Sequence, residues 1–310
     1  MSANVETMMY VREKPWHGLG TRVEDAPTSL VALEKSGLNW EVHPEKIAVA
    51  ETGIVIPGSF ANVRSTDGKV LGIVGDRYKV VQNVDAFAFT DTLIGGDVHY
   101  ETAGSLNGGR KVWLLARMPE KKVAGDKVEP YLCFTNTHDG SGAVRVIMTP
   151  IRVVCQNTLN LALSGAKRAW SVKHTGDINR KIAEARDCLE LADEYMFELD
   201  KKAEQLANVR VDEDMLNAIL GQMFPVKEDA SACVKRNAQA AKDTFMMCYA
   251  APDLVKFKGT AWGAVNAMAD MVAHTAPNRM TATYAENNWG KIMTGHALVD
   301  QMAQMVAVAK

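Results

Sequence analysis

The sequence predicts an α+β protein: a mostly antiparallel sheet with flanking helices, followed by a helical C-terminal half. Three observations predict it. Before Thr175, short runs of β-branched and aromatic residues alternate with turns rich in glycine and proline, which is the texture of strands. Those turns are too short for the crossovers that parallel strands require, so sequential strands must run antiparallel. After Gly176 the apolar residues recur every three or four positions, the period of an amphipathic helix. The expected organisation is an α+β domain over residues 1–175 and a helical region over 176–310.

The elements follow in order. Strands are expected at Ile47 to Ala50, Phe60 to Arg64, Val70 to Val74, His99 to Leu106, Lys111 to Met118, Tyr131 to Asn136, Val144 to Met148 and Ala169 to Lys173. Asn107-Gly108-Gly109 is a strong hairpin signal between two of them. His138-Asp139-Gly140-Ser141-Gly142 supplies the glycines and short polar side chains of a second hairpin turn. Helices in this half are expected at Ser29 to Ser36, Asn83 to Ile94, and Asn157 to Ser164, the last capped by Asn157 or Thr158. Further on, Asp177 to Ala207, Asp212 to Met223, Asp229 to Met247, Thr260 to Thr275 and Glu286 to Val308 carry the helical period, punctuated by Pro225, Pro252 and Pro277.

Composition sets bounds. A chain of 310 residues with 47% hydrophobic content can bury one large core or two modest ones. A net charge of -2 gives no global attraction to nucleic acid, so any basic surface must be local. The five cysteines, Cys133, Cys155, Cys188, Cys233 and Cys248, have no CxxC spacing and an odd count, which argues against a disulfide framework. No stretch approaches the roughly 20 apolar residues of a membrane span, and the start MSANVETMMYVREKPW has no continuous apolar run to serve as an export signal. The expectation is a cytoplasmic protein of a bacterial host cell, with no membrane partner.

Five segments carry a resemblance. PWHGLGT (Pro15 to Thr21), GDRYKVVQN (Gly75 to Asn83), the HDGS turn, RVVCQNTL (Arg152 to Leu159) and GTAWGAVNA (Gly259 to Ala267) together resemble the phage/plasmid-like family known as domain of unknown function 932. The resemblance touches most of the chain. It implies a mobile-element setting, a bacterial cytoplasm and a role in DNA metabolism, and it brings no established chemistry.

The residues themselves offer several constellations. From Arg145 to Lys181 the ionised side chains are Arg145, Arg152, Lys167, Arg168, Lys173, Asp177, Arg180 and Lys181, of which one is acidic. A sheet could gather Arg145, Arg152, Lys167, Arg168 and Lys173 into a groove that follows phosphates, with Asn157 and Thr158 donating from a helix start. Arg64, Arg77, Lys79, Arg110 and Lys111 lie upstream, and Tyr78, Trp113, Tyr131 and Trp170 offer stacking surfaces; singly, each reads more readily as an ordinary surface cation or core aromatic, and it is the Arg145 to Lys181 cluster as a group, lacking acidic partners, that stands out. Cys155 with His138 or His174 is a weaker candidate, because Val153 and Val154 flank the thiol and free cysteines are usually buried. His17, His99, His138 and Asp139 lack the spacing of a metal site. Gly104 to Gly109 lacks the lysine and the Ser/Thr ending of a P-loop.

These observations lead to a phage- or plasmid-encoded nucleic-acid-binding protein that binds and anneals single-stranded DNA, with no cofactor, no metal and no catalytic residue, assembled as a homo-oligomer. The order hairpin, hairpin, helix over His99 to Ser164 is similar in architecture to phage single-strand annealing recombinases, an analogy without matching motifs. The alternatives are a nucleotide- or nucleic-acid-modifying enzyme built on His138, Asp139, Arg152, Cys155 and Asn157, and a counter-defence factor that binds host components.

Overall fold

Asn107 and Gly108 stand one after the other at positive φ, and the strands they join form the middle of the larger sheet. The computed structural model describes residues 5–12, 20–24, 28–94, 99–152, 161, 163, 169–176, 187–275 and 295–308. It shows an α+β fold. In chain order the elements are β1 (Val5–Tyr10), β2 (Thr21–Arg22), α1 (Ser29–Lys35), β3 (Val42–Ala48), β4 (Val55–Arg64), β5 (Val70–Gly75) and α2 (Asn83–Ile94). There follow β6 (His99–Leu106), β7 (Lys111–Arg117), β8 (Lys121–Val123), β9 (Asp126–Thr137), β10 (Val144–Arg152) and β11 (Ala169–Val172). The described helices beyond these are α3 (Asp187–Ala207), α4 (Glu213–Met223), α5 (Ala232–Tyr249), a 3-10 helix (Pro252–Phe257), α6 (Ala261–His274) and α7 (Ala297–Val308).

Contacts divide the chain into two compact units. The first comprises Met1–Pro119, Tyr131–Met148 and Lys167–Ala192, and the second Glu120–Pro130, Thr149–Ala166 and Asp193–Lys310. The larger sheet has the order β11-β10-β9-β7-β6-β1-β2, with β8 paired to β9; a smaller sheet has the order β3-β4-β5. The described pairings are antiparallel apart from β1 with β2, both where a short turn joins the strands, as in β6–β7, and where they lie far apart in the chain, as in β1–β6 and β10–β11. Consecutive residues are buried along β7 (Val112 to Leu114) and β9 (Tyr131 to Phe134), which places cover on both faces of the sheet. Part of that cover is α1 and α2. Asp91 of α2 accepts from Ser29 N–H at 2.7 Å and Ser29 Oγ at 2.8 Å at the start of α1, and also from the Tyr100 hydroxyl of β6.

One end of the larger sheet organises the first unit. The register Leu106↔Lys111, Lys111↔Thr137, Val144↔Val172 and Val5↔Leu106 puts the 107–110 turn, the 138–143 turn, the start of β10, the end of β11 and the start of β1 at that same end. The smaller sheet covers it. A methyl added at Gly72 of β5 would lie 2.4 Å from Asp139 Cα, and one at Gly109 would lie 3.4 Å from the Leu71 side chain. Arg64 of β4 donates to Glu6 of β1 at 2.8 and 2.9 Å and to Asp67 at 2.8 and 2.5 Å, with its guanidinium 5.4 Å from the Trp40 ring centre. These pairs hold the Glu6 carboxyl below its ordinary range and the Asp67 carboxyl down at about 2, in both cases chiefly through the Arg64 hydrogen bond.

The sequence reading and the structure differ in places. His99–Leu106 and Asn83–Ile94 agree residue for residue. β3 runs over Val42–Ala48 rather than Ile47 to Ala50, because its charged, exposed residues mask an edge strand. β1 has no period-2 pattern: Met8, Met9 and Tyr10 are all buried, and only its neighbours β2 and β6 reveal it as a strand. The expected helix from Asn157 to Ser164 lies outside the described residues.

In the second unit α6 is the core. Ala261 through Ala269 are buried without a break, so this helix is enclosed on all sides by α5, α7 and the 3-10 helix. That accounts for GTAWGAVNA. Gly259 turns the chain at φ +76°, and Thr260 Oγ accepts from Gly263 N–H at 3.1 Å while donating to Phe257 O at 2.7 Å. A methyl on Gly263 would sit 2.4 Å from the Phe257 carbonyl oxygen. Alanine normally favours a helix over glycine by about 1 kcal/mol. Here the collision with backbone outweighs that gain, since overpacking costs about 1–3 kcal/mol. Gly263→Ala is therefore expected to lower the thermal midpoint by several degrees, followed by circular dichroism; an unchanged or raised midpoint would show that the 3-10 helix yields freely.

Candidate functional site

The HDGSG turn is built by its own residues. Asp139 Oδ1 accepts from Ser141 N–H at 2.9 Å and from Ser141 Oγ at 2.6 Å, and Gly140 supplies a φ of +77°. Beneath the turn lies a cluster of buried polar side chains. Asn62 and His138 are fully buried, as is Asn136, and Asn83 and His174 nearly so. Most of them serve the backbone. Asn62 Nδ2 donates to His138 O at 2.7 Å, Asn83 Nδ2 to Leu38 O at 2.9 Å, Asn136 Nδ2 to Val81 O at 2.9 Å, and the Tyr78 hydroxyl to Thr137 O at 2.7 Å.

The partners settle the histidine tautomers. Asn83 Oδ1 can only accept, so His138 Nε2, at 2.9 Å, carries its proton. Lys79 O likewise can only accept, so His174 Nδ1, at 3.0 Å, carries the proton there. The lone-pair nitrogens, His138 Nδ1 and His174 Nε2, are buried with no partner among the described residues, as are Asn62 Oδ1 and Asn136 Oδ1. His138 packs edge-on to Trp40 at 5.2 Å between ring centres, and His174 stacks on Tyr78 at 4.6 Å. Burial first, then the nearby His174, pushes His138 down to about 3, against a smaller opposing effect of Asp139. Burial also lowers His174. Both rings are neutral, and His138 is sealed from solvent, which suits a structural role better than proton transfer to a substrate.

Cations stand around this cluster on the outside. Arg145 of β10 pairs with Ser171 of β11, and the alternation along β11 places Lys173 on the same exposed face, a diagonal neighbour at about 7–8 Å. Val172 and His174 point the other way and are buried. Lys79 N–H donates to His174 O at 2.7 Å, which brings the Arg77 to Lys79 segment alongside Lys173. Arg77, Lys79, Arg145 and Lys173 are all exposed, and none forms an ion pair with a described residue. Elsewhere in the first unit Arg12, Arg64, Lys69 and Arg117 are neutralised by Glu101, Glu6 and Asp67.

Of the residues singled out in the sequence, the structure brings Arg145 and Lys173 together. Arg152 ends β10, and its side chain lies outside the described residues. Asn157, Thr158, Lys167 and Arg168 lie outside them too, as do His17 and Cys155. Cys133 is buried, and burial raises its thiol; burial and a hydrogen bond to Asp270 push Cys248 up to about 12. Among the described residues no three His, Cys, Asp or Glu side chains group as metal ligands. The buried amides escaped the sequence reading, although Asn62 between Ala61 and Val63, and Asn136 after Cys133-Phe134-Thr135, break apolar strands in a way that signals an inward polar residue.

Residues 70–291 match the family described as a domain of unknown function (DUF932). The chain belongs to the DUF932 family. No curated protein and no solved structure matches it. The DUF932 match opens at Val70, the first residue of β5, and so takes in Arg77 to Asn83, the HDGSG turn, Arg145 and Lys173-His174. Asn62 and Arg64 of β4, and Trp40 just before β3, precede it.

The two neutral histidines make a pH prediction. The unfolded chain protonates histidine near 6.5, whereas the folded state holds both rings neutral below that value, to about 3 for His138. Their contribution is complete above the unfolded value and is lost as pH falls. Each withheld proton costs up to about 1.4 kcal/mol per pH unit. Urea unfolding at pH 5.5 should show a stability roughly 1–3 kcal/mol below that at pH 7.5, and His138→Gln should flatten the dependence by about half. A flat profile in the parent protein would contradict buried neutral histidines.

Proposed function

We propose that this DUF932 protein binds single-stranded nucleic acid, DNA in the first instance, by neutralising its backbone on the exposed face formed by β10, β11 and the Arg77 to Lys79 segment. The observation that carries the reading is that Arg77, Lys79, Arg145 and Lys173 gather at one end of one sheet, exposed and without a carboxylate partner among the described residues. Such an arrangement leaves four full charges free for phosphates, and phosphate neutralisation dominates affinity for nucleic acid. The sealed, neutral cluster behind them fixes the strand ends and turns that present the cations. Annealing of complementary strands in a phage or plasmid setting, by a self-assembling protein that lays such faces side by side, is the activity this binding would serve, since annealing needs charge neutralisation and accessible bases rather than bond chemistry.

Each phosphate contact removed should reduce the slope of log affinity against log salt by about 0.7 for a single strand. The double variant Arg145→Ala, Lys173→Ala is expected to flatten the slope by about 1.4 and to weaken binding whatever the base sequence, with an unchanged thermal midpoint because both side chains are exposed. Fluorescence anisotropy with labelled oligonucleotides across a salt series reads this directly. A parent protein that retains no oligonucleotide at low salt, or a double variant with an unaltered slope, would refute the assignment.

A further inference from the structure

The neutral cluster beneath the HDGSG turn presents acceptors that no donor meets. His138 Nδ1, His174 Nε2, Asn62 Oδ1 and Asn136 Oδ1 are all buried, and no donor of a described residue reaches any of them. The donors of the same side chains point elsewhere. Asn62 Nδ2 serves His138 O, Asn136 Nδ2 serves Val81 O, His138 Nε2 serves Asn83, and His174 Nδ1 serves Lys79 O. The Tyr78 hydroxyl is given to Thr137 O, and Thr137 Oγ1 is itself buried and unpartnered.

The four acceptors belong to one neighbourhood. Asn62 holds the His138 carbonyl through its amide. Asn136 and His138 stand two residues apart at the end of β9, both tied to the segment from Val81 to Asn83. His174 stacks on Tyr78, whose hydroxyl reaches the residue between them. A buried acceptor without a donor forfeits the hydrogen bonds that water gives it in the unfolded chain. Four of them left bare would take a large share of a domain's net stability, and native proteins answer nearly every such group. We propose that this cluster holds ordered internal water, which donates to His138 Nδ1 and His174 Nε2 and to the side-chain carbonyls of Asn62 and Asn136.

Water fits where other donors do not. All four atoms are neutral acceptors, and a buried water typically makes about three hydrogen bonds to groups of this kind. A cation sealed from solvent would need a compensating charge beside it. The adjacent carboxylate, Asp139, instead commits Oδ1 twice to Ser141. A metal would need further ligands, and among the described residues no three His, Cys, Asp or Glu side chains group together. Anything larger is shut out, because Asn62, Asn136 and His138 are 0% exposed and His174 is 3% exposed. Each histidine would then give its proton to the protein and its lone pair to water. The inference concerns the interior of the first unit and does not depend on nucleic acid.

A crystal structure of the full chain that resolves solvent tests this. Water is expected at about 2.7–3.2 Å from His138 Nδ1 and from His174 Nε2, as one shared molecule or as two. Either nitrogen against carbon alone, against a protein donor, or about 2.0–2.1 Å from a metal ion would overturn the proposal. Nitrogen-15 spectra of histidine-labelled protein ask the same question in solution. The unprotonated nitrogens are expected upfield of a bare imidazole nitrogen, because an accepted hydrogen bond draws on the lone pair. Their signals are assigned by their loss in His138→Gln, which can keep the bond to Asn83, and in His174→Asn, which can keep the bond to Lys79 O. Signals at the position of a bare nitrogen would overturn the proposal. Water at both nitrogens in a protein that binds no oligonucleotide would uphold it and sink the nucleic-acid reading alone.

Discussion

Backbone groups that no strand or helix pairs must be answered by side chains, and in this protein uncharged amides answer them. Val42 finds Gln82, Leu38 finds Asn83, His138 finds Asn62, and Val81 finds Asn136. Each such bond nets only about 1 kcal/mol, but a buried carbonyl left without its donor costs about 1–3 kcal/mol. The amides therefore act as obligatory ties between the smaller sheet, the segment from Tyr78 to Asn83 and the turn at the end of the larger sheet. Arg64 adds a charged tie from β4 to β1, bidentate to Glu6. Remove the amides, and the HDGSG turn has no reason to sit over Gly72.

Those ties explain why the exposed cations fall where they do. Arg145 and Lys173 are placed by the β10–β11 register, and Lys79 is placed by donating its N–H to His174 O while its own carbonyl accepts from His174 Nδ1. His174 faces inward and stacks on Tyr78, whose hydroxyl reaches Thr137. The inside of this small region holds neutral histidines and amides, and the outside carries Arg77, Lys79, Arg145 and Lys173 with Asp76 and Asp139 beside them. Arg145, on a hydrogen-bonded strand, has already lost most of its backbone freedom before meeting a phosphate, and Lys79 is held by the hydrogen bonds it makes with His174.

The sequence made part of this legible. Asn107-Gly108 and the HDGSG run announce hairpins because left-handed residues and Asx turns are chemical requirements of tight turns, and both appear in the structure. The change of period near Gly176 marks the passage from strands to helices. Other features were hidden for physical reasons. β1 is buried along three consecutive residues, so it shows no alternation. Asn62 and Asn136 face inward at strand positions where a polar residue is ordinarily read as solvent-facing. Arg77 and Lys79 were visible as basic residues, but their approach to Lys173 depends on a long-range backbone contact that no local pattern encodes. GTAWGAVNA stood out as a motif, and its structural meaning is close packing: a capping threonine and a glycine against the Phe257 carbonyl.

The central claim is that one end of one sheet is both the rigid and the phosphate-binding part of the first unit. Hydrogen exchange, followed by mass spectrometry with and without a single-stranded oligonucleotide, tests it most directly. The account predicts added protection confined to residues 76–80, 144–147 and 169–173, with helix α5 (Ala232–Tyr249) unaffected. Protection centred on α5, or none in those three segments despite bound oligonucleotide, would contradict it.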